Sequence, residues 1–199
     1  MKHRTAKTTP PPAHISAVFL DRDGVINRDS ADYIKTWDDF EFLPRSIDAI
    51  ARLTRAGIRV IVITNQSIIG RGWVSPAVLA DTHGRMSEAI HAGGGRIHAI
   101  YHCPHHPDDG CDCRKPRPGM VLRAAADHGI DLSRAVMIGD SAKDVACARN
   151  AGVALAVLVK TGGFERAAAR LSEEGIAPDQ VSLDLWEAVD GLLAAKVGK

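Results

Sequence analysis

The chain has 199 residues, the size of one large domain. Lys and Arg number 25 against 24 Asp and Glu, the net charge is +1, and aromatic residues make up 5%; this excludes a chain that grips nucleic acid or an anionic membrane by bulk charge and stacking. No apolar run reaches the roughly 18 residues of a membrane span, and residues 1–13 lack the apolar centre of a secretory signal, so a cytoplasmic location is expected.

Residues 1–14 carry Pro10, Pro11 and Pro12 and are expected to form a flexible tail, with one compact domain over 15–199. "AVFL" (Ala17–Leu20) is a short apolar run of the kind a buried parallel strand shows. A helix is predicted over 44–57, punctuated by Pro44 and Gly57, with Ile47, Ile50 and Leu53 on one face. "IRVIVIT" (58–64) predicts a second strand, 76–91 a helix, and "RIHAIYH" (96–102) a third strand. Then come a helix at 118–129, a strand at 135–140, a helix at 142–152, a strand at 154–159, and helices at 164–174 and 183–195. Strands alternating with helices predict an α/β fold, a doubly wound parallel sheet covered on both faces.

Polar groups follow the predicted strands. The first ends in Asp21, Arg22, Asp23 and Gly24; the second in Thr64, Asn65, Gln66 and Ser67; the fourth in Asp140 and Ser141, with Asp144 close behind. In a doubly wound sheet these strand ends open onto one edge, where ligands bind. Two carboxylates as near as Asp21 and Asp23 repel each other unless a cation or a proton lies between them. Asp21, Asp23 and Asp140 are therefore expected around one hard cation, with Mg²⁺ the natural occupant of an oxygen site completed by water and phosphate.

The four cysteines include a cluster, "CPHHPDDGCDC", from Cys103 to Cys113. Cys103, His105, Cys111 and Cys113 are expected to close a structural Zn²⁺ site, with His102 and His106 as rivals for the histidine place. The loop runs directly into Arg114, Lys115 and Pro116, so the metal would hold those residues in place. Cys147 reads as a core thiol.

"DRDG", "TNQ", "CRKP" and "GDSAKD", in this order, resemble the four motifs of the haloacid dehalogenase (HAD) superfamily of phosphatases. The resemblance implies a HAD-like sheet with a minimal cap, Asp21 as a nucleophile forming an aspartyl-phosphate, and Asp23 as general acid and then general base. It also implies that Thr64 and Lys115 stabilise the transferring phosphoryl group and that Asp23 offers its carbonyl to the metal. Asp140 would complete the metal site, and Asp144 would bind a metal water or orient Lys115. Within the superfamily, "DYIKTWDDFEFLP", "TNQSIIGRGW" and the cysteine loop are similar to the heptose bisphosphate phosphatases of lipopolysaccharide core synthesis. The short spacing inside the loop is instead like the histidinol-phosphate phosphatases, and Ser141 stands where some relatives have lysine. The substrate implied is a small phosphorylated sugar, a heptose 1,7-bisphosphate losing its 7-phosphate, with histidinol phosphate as the alternative. Expected substrate contacts are Asp29, Tyr33, Asn65, Gln66, Ser67, Arg71 and Arg114, the arginines suiting a second phosphate. Ser30 and Arg117 lie nearby in the sequence. A monomer without nucleic-acid or membrane partners is expected. A zinc-stabilised binding protein without catalysis is the competing class; it would be expected to lack Asp21 or Asp23, and both are present.

Overall fold

A computed structural model describes residues 14–197. The expected tail, but for His14, lies outside the described residues. Six strands make one sheet: β1 (Ala17–Leu20), β2 (Arg59–Asn65), β3 (Ala99–Cys103), β4 (Ala135–Gly139), β5 (Leu155–Val159) and β6 (Gln180–Ser182). Their order is β3-β2-β1-β4-β5-β6, and every neighbouring pair is parallel. The helices are α1 (Ser46–Arg55), α2 (Pro76–Ala92), α3 (Gly119–His128), α4 (Ala142–Ala151), α5 (Phe164–Glu173) and α6 (Leu185–Val197). The chain winds outward from β1 to β3, returns to the middle at β4, and winds outward again. The reversal falls between β1 and β4, where open parallel sheets bind their ligands.

Strands β1, β2, β4 and β5 are apolar on both faces, and their side chains alternate between two cores. Val18, Leu20, Val60, Val62, Val136 and Ile138 pack beneath α1, α2 and α6. Phe19, Ile61, Ile63, Met137 and Leu158 pack beneath α3, α4 and α5. Burying a side chain such as Phe19 or Ile61 completely contributes about 1.5–3 kcal/mol. An exposed ion pair such as Arg28–Glu41 is screened by solvent and contributes little, so the two cores dominate stability.

Boundaries shift by up to three residues from the sequence expectation, and one strand is added. Helix α1 begins at Ser46, not at Pro44, because Arg45 has φ 61°, outside the helical region. Strand β3 begins at Ala99 because the His98 ring, not a main-chain oxygen, accepts the Val60 N–H at 3.2 Å. Strand β6 was not expected: its three residues, Gln-Val-Ser, form no apolar run, and the side chain of Val181 is exposed. No helix among the described residues is long and apolar enough to cross a membrane.

Candidate active site

Asp21 follows β1 directly, and its main-chain N–H bonds Ile138 O of β4 at 3.0 Å. The sheet reversal thus fixes its carboxylate at the strand ends. Oδ1 accepts the Arg22 N–H at 2.8 Å and lies 2.8 Å from Lys115 Nζ. Lys115 is 2% exposed and fully engaged. Its ammonium reaches Asp21 Oδ1, Asp144 Oδ1 at 2.6 Å and Ile63 O at 2.8 Å, one partner for each of its three donors. Burial disfavours the ammonium, but Asp144 and Asp21 outweigh burial and raise its pKa, so the lysine stays charged. Asp144 does two jobs at the start of α4. Its Oδ2 caps the helix through Ser141 N (3.0 Å) and Ser141 Oγ (2.6 Å), while its Oδ1 orients Lys115.

The Asp23 carboxylate stands apart from the acidic cluster; among the described residues the converging carboxylates are those of Asp21, Asp140 and Asp144. The reason is Arg22, whose side chain is 1% exposed and folds back onto Asp23. Nε bonds Oδ1 at 3.1 Å, and Nη2 bonds Oδ1 at 2.8 Å and Oδ2 at 3.0 Å. Asn27 Nδ2 and Gln66 Nε2 add bonds of 2.9 and 2.8 Å. Burial would raise the Asp23 pKa, but the Arg22 charge and these bonds prevail and lower it.

The acidic cluster fits a hard cation. The ligand atoms of Asp21, Asp140 and Asp144 lie within 4.8 Å of one another. Burial, then the neighbouring carboxylates, pushes Asp140 up to about 8. Burial likewise pushes Asp21 up to about 7 despite Lys115. Such a cluster is short of positive charge, which a divalent ion would supply. Room for it depends on glycine: a Cβ on Gly162 would sit 1.7 Å from Asp140 Oδ2, and one on Gly24 2.3 Å from it. Gly24 also has φ +77°, a conformation few other residues adopt.

The second candidate metal centre lies in the loop after β3. Cys103, His105, Cys111 and Cys113 gather with contacts of 3.2–3.6 Å between sulfurs and His105 Nδ1. These are close to the roughly 3.7 Å edge of a tetrahedron with zinc–sulfur bonds of about 2.3 Å. Burial and the adjoining thiols push Cys113 up to about 12, while hydrogen bonds outweigh burial and bring Cys111 down to about 7, so the cluster carries one thiolate readily and resists more without a cation. The rival histidines face elsewhere: the His102 ring meets the His83 ring edge-on at 5.8 Å, and His106 Nδ1 pairs with Asp108 at 3.2 Å. The loop is tied to the site. Gln66 N bonds Cys103 O at 2.8 Å, Gly70 N bonds Pro104 O at 2.8 Å, and the Arg114 N–H bonds the Cys111 sulfur. Arg117 lies on the loop, its Nη1 bonding Cys111 O at 2.7 Å and also Gly110 O.

These parts border a cleft of about 620 Å³. Asp21, Asp23, Asp29, Tyr33, Thr64, Asn65, Gln66, Ser67, Arg114, Lys115 and Asp140 all line it. Two of the expected substrate contacts are already engaged. The Asn65 amide brackets the main chain of Lys115 at 3.1 and 3.2 Å, and Gln66 Nε2 bridges Asp23 and Thr64 Oγ1. Arg71 is not among the lining residues; it packs over Trp73 at 5.0 Å, and Trp73 in turn meets the cleft-lining Tyr33 edge-on at 5.3 Å. Sequence reasoning missed Lys143, Arg166 and Arg170, which join Arg114 in a cationic rim. Burial, then Arg114 and Arg170, lowers the Lys143 pKa, so these charges lie close enough to repel. Arg114 Nη1 is buried without a partner among the described residues. The only earlier sign of Lys143 was its place one turn beyond Asp140; Arg166 and Arg170 share a helix face at i and i+4, ordinary for a solvated surface.

A parallel sheet with an Asp-Arg-Asp loop at its reversal, a buried lysine bridging two aspartates and a carboxylate nest for a divalent ion define a HAD-like phosphatase. A family described as HAD-hydrolase-like matches residues 112–188. The D-glycero-beta-D-manno-heptose-1,7-bisphosphate 7-phosphatase of Pseudomonas aeruginosa is 51% identical over 160 residues, 80% of this chain and 89% of that protein. The enzyme of the same name from Bordetella bronchiseptica is 44% identical over 153 residues, 77% of this chain and 85% of that protein. The crystal structure of D,D-heptose 1,7-bisphosphate phosphatase from B. bronchiseptica, complexed with magnesium and phosphate, superposes with a TM-score of 0.84 at 40% identity, covering 90% of this chain and 99% of that one. The chain belongs to the D-glycero-beta-D-manno-heptose-1,7-bisphosphate 7-phosphatase family.

Proposed function

We propose that the chain hydrolyses the 7-phosphate of D-glycero-D-manno-heptose 1,7-bisphosphate in the cytoplasm, as a monomer, in the synthesis of nucleotide-activated heptose for the lipopolysaccharide core. The observation that carries this reading is that Arg114, Lys143, Arg166 and Arg170 line the same cleft as the Asp21–Lys115 pair. One phosphate reacts at Asp21 while the other meets the rim.

In this reading Asp21 attacks phosphorus, forming an acyl phosphate as the sugar oxygen leaves. Asp23 is ionised in the free enzyme; the negative charge of bound substrate raises its affinity for a proton, which it gives to that oxygen before taking one from the water that cleaves the acyl phosphate. Lys115 and Thr64 hold the phosphoryl oxygens, where negative charge must be balanced. Asp21, Asp140 and the Asp23 carbonyl would hold Mg²⁺, which supplies positive charge to the transferring group. Cys103, His105, Cys111 and Cys113 would hold Zn²⁺, with no position left for chemistry. Rim contacts to the remote phosphate orient the reacting one.

The test compares kcat/KM for heptose 1,7-bisphosphate and histidinol phosphate in the unmodified enzyme and in Arg114→Ala. The bisphosphate is expected to be strongly preferred, and the substitution to lower its kcat/KM by roughly tenfold or more while barely touching monophosphates. Equal or better hydrolysis of histidinol phosphate by the unmodified enzyme overturns the reading.

A further inference from the structure

We propose that His83 is a positioning residue for acid catalysis: it accepts a hydrogen bond from Arg22 and thereby fixes the guanidinium that aims the Asp23 carboxylate. The inference rests on the phosphatase reading above, in which Asp23 protonates the leaving oxygen. Arg22 Nη1 lies 3.2 Å from His83 Nε2, while Nε and Nη2 grip Asp23. A guanidinium carries donors only, so Nε2 is the acceptor and the ring proton sits on Nδ1. The group is planar, and holding it at Nη1 as well as along its Asp23 edge leaves it little freedom to rotate. His83 is 7% exposed, comes from α2, and has the His102 ring against it at 5.8 Å. Burial, with the charge of Arg22 beside it, holds its ionisation down to about 3, consistent with a permanent acceptor. Thus α2, which contributes no lining residue to the cleft, reaches the proposed acid through one buried arginine.

His83→Gln places a carbonyl oxygen near the position of Nε2; His83→Asn places one near Nδ1, too short to reach Arg22. Both variants are assayed by kcat/KM, which includes departure of the leaving group but not hydrolysis of the acyl phosphate. Two esters are compared: heptose 1,7-bisphosphate, whose leaving oxygen needs a proton, and p-nitrophenyl phosphate, whose leaving oxygen does not. The Asn variant is expected to lose about tenfold or more on the sugar ester and less than about twofold on the aryl ester, with the Gln variant within about threefold of the unmodified enzyme on both. The ratio between the esters does not depend on the fraction folded, so a destabilised variant remains informative. Equal losses on both esters, no loss in the Asn variant, or a Gln variant as impaired as Asn overturns the proposal. Failure of the unmodified enzyme to hydrolyse the heptose ester overturns the substrate reading instead, and the ratio is then taken with an alkyl phosphate it does hydrolyse.

Discussion

At the scale of single residues, Asp21 is under opposing demands. Burial pushes its pKa up to about 7, yet a nucleophile must be ionised to attack. Lys115 at 2.8 Å opposes the rise, and a divalent ion beside Asp140 would complete the correction. Asp21→Asn keeps the shape and most of the bonds while removing the attacking oxygen. Turnover is expected to fall by about a thousandfold or more. The fold should persist, because the lost charge is one that burial already disfavours. Phosphate release together with circular dichroism checks both halves; most of the activity surviving in a folded protein would reject nucleophilic attack by Asp21. Asp23, two residues on, shows that neighbours in sequence need not share an environment. Arg22 turns its carboxylate to a different set of partners and lowers its pKa.

At the scale of elements, the loop after β3 carries the argument. Its residues between Cys103 and Cys113 are mostly polar and exposed, so apolar burial contributes little to holding it. A metal at Cys103, His105, Cys111 and Cys113 would hold it instead, and through the Arg114 N–H to the Cys111 sulfur would steady both Arg114 and Lys115. Cys111→Ser is therefore expected to release about one zinc per chain and to lower activity by roughly 10- to 100-fold, without touching any group that contacts phosphate. Metal analysis of the purified protein gives the first number and steady-state assay the second. Zinc absent from the unmodified protein, with unchanged activity in the variant, would remove the structural metal from the account.

At the scale of the whole molecule, the buried acids couple ligand binding to global stability. Asp21 and Asp140 have pKa values raised to about 7 and about 8 in the fold, against about 3.9 for an unfolded aspartate. Between those limits the folded state binds more protons than the unfolded one, so these two groups stabilise the metal-free protein as pH falls and destabilise it as pH rises through the folded values. Mg²⁺ would occupy the same cluster without needing the protons. The increase in Tm on adding saturating Mg²⁺ is expected to be larger at about pH 8 than at about pH 6. Thermal melts at the two pH values, each with and without Mg²⁺, measure the difference. A gain independent of pH, or larger in acid, would show that the carboxylates do not exchange protons for the ion.

The sequence by itself determined the alternation of strand and helix, because buried parallel strands need apolar runs and helices end at residues such as Gly129 and Gly152 that can take a left-handed turn. It also determined which side chains follow the strands, and hence that Asp21, Thr64, Lys115, Asp140 and Asp144 could meet at one edge. The cysteine loop was legible for a similar reason: its four candidate ligands lie within one short segment. Only the tertiary structure decided the rest. β6 exists because β5 offers an edge to pair with, not because its three residues favour a strand. Lys143, Arg166 and Arg170 became a rim when α4 and α5 packed beside the cleft. Asp23 faces a buried arginine that sits between two aspartates and itself bonds a histidine 61 residues further along the chain. Periodicity records which face of an element is buried; it does not record what a buried polar group meets there, because its partner comes from whichever element packs across it.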